Sequence, residues 1–282
     1  MRIALALLSL LVAPLAMAQG LGLAGGNSDQ PIQVDADQGI EWRRDQNVYV
    51  ARGNATASRG GVTVKGDTLT ARYRAKGTDG GSEIYQLEAQ GNVRITSANE
   101  NIVADRAIYD ADQGVLVMTG RNLKLTTRQD VITARDSLEY WEKRQLAVAR
   151  GDAEATRDKR KIRADTLSAQ LVEGANKELK LRRVDAFGNV DVRTDQEVAK
   201  GEKGVYQIEQ GTATLIGNVR ITRGQNQLNG EVAEVNLNTG VSRLLSGPQS
   251  RTRALVVPNR EPQQDRKSTR LNSSHGYISY AV

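Results

Sequence analysis

A glycine, a polar residue and then alternating apolar positions recur at Gly53 (GNATA), Gly91 (GNVRI), Gly120 (GRNLKL), Gly151 (GDAEA), Gly188 (GNVDV) and Gly217 (GNVRI). The hexapeptide GNVRIT occurs twice unchanged, at 91–96 and 217–222. Successive glycines lie 38, 29, 31, 37 and 29 residues apart, and the first three map onto the last three with offsets of 98, 97 and 97. A three-unit block is therefore written twice, at about 36–133 and 134–247. Self-similarity at such a period marks a chain assembled from repeated supersecondary units.

A second marker keeps step with the first. Thirteen residues after each glycine, or fourteen in one case, stands a small residue, usually followed by an acid. These are Gly66-Asp67, Ala104-Asp105, Ala134 with Asp136 two on, Ala164-Asp165, Gly201-Glu202 and Gly230-Glu231; Ala36-Asp37 precedes the first glycine. Period-2 alternation identifies the intervening segments as strands. Val93 and Ile95 share a face, as do Leu123 and Leu125, Val190 and Val192, and Val219 and Ile221. Before the small residue Val62 and Val64, Ile102, Ile132 and Ile162 hold that face; after it Leu69, Leu138 and Leu167 do, one position out of phase. A one-residue slip turns a strand inside out unless a bulge repairs it, so a bulge or sharp bend is expected at each small-acid pair. SRGG (58–61), ANEN (98–101), RDKR (157–160) and GQNQ (224–227) are short polar connectors suited to hairpins. The pattern predicts an all-β fold: an antiparallel meander of about fourteen creased strands, built from two-strand units, with its two leaves facing each other.

Both termini stand outside this pattern. Arg2, the apolar run 3–12 and Ala16-Met17-Ala18 read as a signal peptide over 1–18, too short for a membrane span. Residues 19–30, containing GLGLAGG, read as a flexible leader, and 259–265 as a polar tail. Residues 266–282 (RKSTRLNSSHGYISYAV) hold no acid and the single His, and read as a non-native tail. Removing Arg2, Arg266, Lys267 and Arg270 from the 39 basic residues leaves 35 against 33 acidic ones. The basic balance thus belongs to the ends, and no nucleic-acid partner is expected. There is no cysteine, which excludes disulfides, thiol catalysis and His/Cys metal clusters; no metal or cofactor is expected.

Aromatic residues make up 4% of the chain, so the inward faces are Val, Ile, Leu and Ala. Small aliphatics lining a folded sheet leave room for a guest, and an acyl chain suits a featureless apolar slot. The lipid-binding candidates are the inward positions named above. The competing reading is that the same side chains close on one another as core.

Taken together, the opening strand PIQVDAD (31–37), the repeated Gly-Asn strands, the small-acid pairs and the closing strand TRALVVP (252–258) resemble the LptA / OstA-like lipopolysaccharide-transport family over 31–258. The resemblance implies a taco-like β-jellyroll in the periplasm, with lipid A acyl chains of lipopolysaccharide in its groove and a bridging role from inner to outer membrane. It implies an LptC-like inner-membrane protein at the N-terminal edge, represented here by Ile32 and Val34. At the C-terminal edge, represented by Ala254, Leu255 and Val256, it implies an LptD-like outer-membrane protein or another copy. The duplicated block departs from that pattern, leaving one long jellyroll or two stacked ones.

Other signals weigh less. DADQG at 35–39 and 110–114 lacks the acid a calcium loop needs at its twelfth position, which is Gln46 or Arg121. The basic stretches 159–161 and 177–183 suit an anionic surface or a solvated face. Two rival functions are an envelope β-repeat without ligand and a carbohydrate-active enzyme using a pair among Asp67, Asp105, Asp165, Glu202 and Glu231. The recurrence of those acids in every unit argues for structure over catalysis.

Overall fold

The computed structural model describes residues 31–76, 81–174, 179–236, 238–239, 241–247 and 251–257. The signal peptide, the leader and both tail segments lie outside the described residues. Eighteen strand segments run through the rest. β1 (Gln33–Asp35) and β2 (Gly39–Arg43) make one ribbon interrupted at Asp37. Continuous ribbons β3 (Val48–Arg59), β4 (Val62–Lys76), β5 (Gly81–Thr96) and β6 (Asn101–Asp110) follow. β7 (Val115–Thr119) with β8 (Lys124–Thr126), and β9 (Val131–Thr133) with β10 (Ser137–Trp141), are again interrupted ribbons. Then come β11 (Leu146–Arg157), β12 (Arg160–Glu173), β13 (Leu179–Arg193), β14 (Val198–Gln207), β15 (Thr212–Arg223) and β16 (Asn226–Asn236). The last ribbon is β17 (Val241–Leu245) with β18 (Arg253–Leu255). Joining the four interrupted pairs reduces 18 segments to 14 ribbons, the expected number.

Each ribbon pairs antiparallel with its neighbour in the chain. At every crease the ladder slips: Arg52 faces Thr68 and Ala55 faces Gly66, so Gly53 and Asn54 together oppose Asp67 alone. The same two-against-one arrangement sets Gly91-Asn92 against Asp105, Gly151-Asp152 against Asp165, and Gly188-Asn189 against Glu202. The sequence placed the bulge at the small-acid pair; the additional residue instead lies on the facing Gly-polar strand. Both members of that dipeptide are left-handed, for example φ 73° at Gly91 and 48° at Asn92. Asparagine tolerates this conformation better than most residues. Glycine is required beside it because a Cβ on Gly91 would lie 2.1 Å from Oδ2 of Asp67.

The recurring acid latches the crease. Asn92 Nδ2 donates to both carboxylate oxygens of Asp67 at 3.1 and 3.0 Å, and Asn189 does the same to Asp165 at 3.1 and 2.9 Å. Asn54 donates to Asp37 at 2.7 Å and Asn218 to Glu202 at 2.5 Å, while the backbone N–H of Arg121 donates to Asp105 at 2.9 Å. Asp37, Asp67, Asp105, Asp165 and Glu202 are thus consumed in holding one ribbon's bend to the next.

The creases fold the sheet into two leaves. One contains β2, β7, β10 and β17 with the matching halves of the continuous ribbons; the other contains β1, β8, β9 and β18 with the remaining halves. Pairing is unbroken across the boundary of the duplicated blocks: β7 pairs with β10, β8 with β9, and both β9 and β10 with β11. One continuous sheet results. The duplication is visible in two 3-10 turns, Arg44–Gln46 and Glu142–Arg144, each closed by a left-handed residue, Asn47 or Gln145. The second DADQG is turn chemistry, since Asp110 Oδ1 accepts from the Gln113 N–H at 2.8 Å.

Candidate functional site

The faces that alternate inward from the two leaves meet in a single apolar interior. Val93, Ile95, Ile102, Leu123, Leu125, Leu138, Ile162, Leu167, Val190, Val192, Val219 and Ile221 are buried in it, with Val64 at its margin; Val62, Leu69 and Ile132 are partly buried against it. These positions divide by depth. Val93, Val190 and Val219 follow directly on a Gly-Asn bulge and are 1% exposed, so they form the packed floor of the crease. Leu123 is 2% exposed at the interruption between β7 and β8. Nearer the seam the leaves diverge and leave space.

Toward the N-terminal end that space is an apolar cavity of about 210 Å³ between the leaves. From the sequence-derived set it is walled by Val64, Leu69 and Ile95. Ile84, Leu87, Tyr109 and Leu116 extend the wall, and sequence reading did not single out Ile84, Leu87 or Leu116. Ile84 and Leu87 precede Gly91 on β5, in a stretch outside the repeated marker; Leu87 alternates with Ala89, but Ile84 is out of phase with both and turns inward only because the ladder slips between Gln86 and Ile84. Ile32 and Val34 were expected as edge residues; their side chains line this cavity although their backbone forms the sheet edge. A smaller cavity of about 70 Å³ lies in the middle of the chain, lined by Leu125, Ile132, Leu138 and Leu167 with Leu181 and Val184.

An aromatic row borders the N-terminal mouth. Trp42 stacks on Tyr49 with ring centroids 5.5 Å apart, and Tyr49 meets Tyr73 at 5.1 Å. Trp42 Nε1 donates to the Tyr73 hydroxyl at 2.7 Å, and the Arg44 guanidinium covers the Trp42 ring at 3.9 Å. Such a row gives a stiff rim without demanding an inward volume that would fill the cavity.

Charged groups flank the interior at few points. Glu139 stands on the outer face of β10, between the inward Leu138 and Tyr140; burial works against its ionisation, but Arg150, Trp141 and Ser137 hydrogen-bond it and hold it below the ordinary carboxylate range. Asp130 lines the central cavity and receives Arg157 Nε and Nη2 at 2.6 Å each. Tyr109 donates to Glu142 Oε2 at 2.9 Å, and burial with that contact raises its hydroxyl.

Both ends of the sheet are exposed. Among the described residues β1 pairs only with β3, and all three of its residues are exposed. Among the described residues β18 pairs only with β16; Leu255, Val256 and Val257 are exposed apolar residues there, and Ala254 is exposed as well. The basic stretches do not assemble into one patch. Lys159 and Lys161 pair with Asp195 and Glu154 on one leaf, at 3.4 and 2.8 Å. Arg183 pairs with Asp185 on the other, at 2.7 Å.

A family model described as LptA/(LptD N-terminal domain) LPS transport protein matches the chain twice in tandem, over residues 33–136 and 132–241. No curated protein matches it. Among solved structures, it is similar to LptH, described as the LptA homologous periplasmic component of the conserved lipopolysaccharide transport device from Pseudomonas aeruginosa. Identity is 14%, coverage is 82% of this chain and 97% of that one, and the TM-score is 0.20.

Proposed function

The chain belongs to the LptA/(LptD N-terminal domain) LPS transport protein family, and on that premise we propose that it carries lipopolysaccharide across the periplasm with the lipid A acyl chains held between its two leaves. The observation that carries this reading is the cavity of about 210 Å³ walled almost wholly by aliphatic side chains and opening beside the aromatic rim. Each methylene moved out of water is worth about 0.8 kcal/mol. A chain of roughly a dozen carbons therefore gains on the order of 9 kcal/mol by occupying such a slot. The head group stays at the seam, where the leaf ends carry the charged turns.

Export by a cleaved signal peptide brings the chain to that compartment. The exposed edges suit assembly by strand addition, with an LptC-like protein at β1 and an LptD-like protein or another copy at β18. On this reading the two sequence blocks, about 36–133 and 134–247, serve as one trough running from inner toward outer membrane. The role is carriage and not catalysis, which fits the engagement of the repeated acids in the creases.

Mass spectrometry of material extracted from the protein, purified without detergent from its native envelope, tests the proposal. Lipopolysaccharide is expected in the extract and is expected to be lost in an Ile84→Asp variant that keeps its strand content. A lipid-free extract from the native chain would favour the ligand-free envelope repeat.

A further inference from the structure

The two cavities between the leaves share no lining residue, and the register shows what stands between them. On the inner face of the first leaf, Ala71, Leu87, Tyr109, Leu116, Tyr140 and Ala147 lie side by side on β4, β5, β6, β7, β10 and β11. Ala169 and Val184 continue the row on β12 and β13. The larger cavity is lined by this row as far as Leu116, and the smaller one from Ala147 onward. Tyr140 lines neither and fills the interval. Tyr109, Leu116 and Tyr140 are 3, 4 and 5% exposed.

Bulk is supplied here from both leaves. The same three ribbons carry Ile102, Leu125 and Ile132 in register on the inner face of the second leaf. By contrast β4 offers only Ala71 and Val64, and β11 only Ala147 and Ala155. The Tyr109 hydroxyl reaches past β7 to donate to Glu142 Oε2 at 2.9 Å, in the turn that ends β10. Burial raises the Tyr140 hydroxyl first, and then Glu142 at the tip of its own leaf and Glu100 at the tip of the other raise it further. The ring of Tyr140 therefore stands within reach of both leaf tips.

The arrangement follows the duplication. Trp42 and Tyr140 are 98 residues apart and Tyr109 and Tyr206 are 97 apart, the offsets that relate the two blocks. Trp42 and Tyr49 begin the row beside Ala71, and Tyr206 stands next to Val184. The larger cavity thus lies between Trp42 and Tyr109 along the row, and the smaller between Tyr140 and Tyr206.

We propose that Tyr109 and Tyr140 form a partition that ends the N-terminal compartment at the block boundary and limits the length of acyl chain it holds. The proposal rests on the acyl-chain reading above. The lining of that compartment crosses six ribbons from β1 to β7, five spacings of about 4.8 Å, or about 24 Å. A chain end that travels this far meets two tyrosine rings and not more aliphatic wall.

The chain has no cysteine, so Ile84→Cys provides a single anchor at a half-buried position on the cavity wall. Alkyl thiols from octyl to octadecyl, each ending in a diazirine, are joined to it by a disulfide, and photolabelled residues are mapped by mass spectrometry. Ala147 lies four ribbons from position 84, about 19 Å, within reach of the octadecyl chain. With both tyrosines present, labelling is expected as far as Tyr109 and Leu116 and not at Ala147 or Ala169, however long the chain. Adding Tyr109→Ala and Tyr140→Ala is expected to bring Ala147 and Ala169 within the label of the octadecyl chain. Tyr140→Val alone takes their place if that pair loses strand content. Tyr109→Phe with Tyr140→Phe keeps both rings and is expected to label as the native pair does. Labelling of Ala147 or Ala169 past intact tyrosines overturns the proposal, and so does a folded alanine or valine variant whose labelling still stops at Leu116. The tethered chain reads the partition whatever the native cargo is, whereas failure of the lipopolysaccharide reading shows as a lipid-free extract.

Discussion

The Asp130–Arg157 pair makes a quantitative demand. Their side chains are 3% and 10% exposed, and two parallel N–H donations of 2.6 Å hold them side by side. Replacing Arg157 with Met keeps most of the packing volume but strands a carboxylate at the wall of the central cavity. Breaking such a buried pair from one side costs about 3–5 kcal/mol. For a chain of this size each kcal/mol moves the melting temperature by roughly 2–4 °C, so a fall of about 6–20 °C is expected. Adding Asp130→Asn to Arg157→Met removes the charge and is expected to recover most of it. The Glu197–Arg223 pair is the internal control: at 3.5 Å and with Arg223 42% exposed, Arg223→Met costs less. Thermal unfolding followed by circular dichroism reads all three variants. A loss under about 1 kcal/mol for Arg157→Met, the range of solvated surface pairs, would refute the assignment of this pair as a dry, pinned end of the leaf.

Two further outcomes follow from the crease and from Glu100. Gly91→Ala places a Cβ 2.1 Å from Asp67 Oδ2 at a φ of 73° and is expected to cost about 1–3 kcal/mol in urea unfolding. An added Asp67→Ala should relieve part of that cost, and an unchanged cost would show that the latch plays no part. A carboxyl raised to about 7 in the folded chain holds its proton better there than when unfolded, so its contribution falls as pH rises from the unfolded value of about 4.3 to 7. That loss, on the order of 3 kcal/mol, should be absent from the pH–stability curve of Glu100→Gln.

Much of this architecture was legible because the creases are written in residues that have few alternatives. A left-handed pair needs Gly followed by Asn or Asp, and a carboxylate must stand within reach of it, so the Gly-Asn and Gly-Asp dipeptides with their small-acid pairs announce the bend in five of the six units, Gly120-Arg121 being the exception. The phase slip from Val64 to Leu69 located the crease, and the polar connectors located the turns. Which strand carries the extra residue was not legible, because the slip looks the same from either side. Nor was the cavity. Alternation shows that Val93 and Ile95 point inward, but not that Val93 is clamped at the crease floor while Ile95 faces open space farther out. That distinction depends on how far the leaves diverge, which no local pattern encodes. Ile32 and Val34 show the same limit: their place at the edge was readable, but their contribution to the cavity wall was not.

Site-specific photocrosslinking on β5 tests the central claim most directly. Leu87 and Ile95 face the cavity, while Arg94 points from the same ribbon to the outside. With benzoylphenylalanine at each position in turn, lipopolysaccharide is expected to crosslink through its acyl chains at 87 and 95, and not at 94. Equal labelling at all three positions, or labelling at 94 alone, would contradict a lipid held between the leaves.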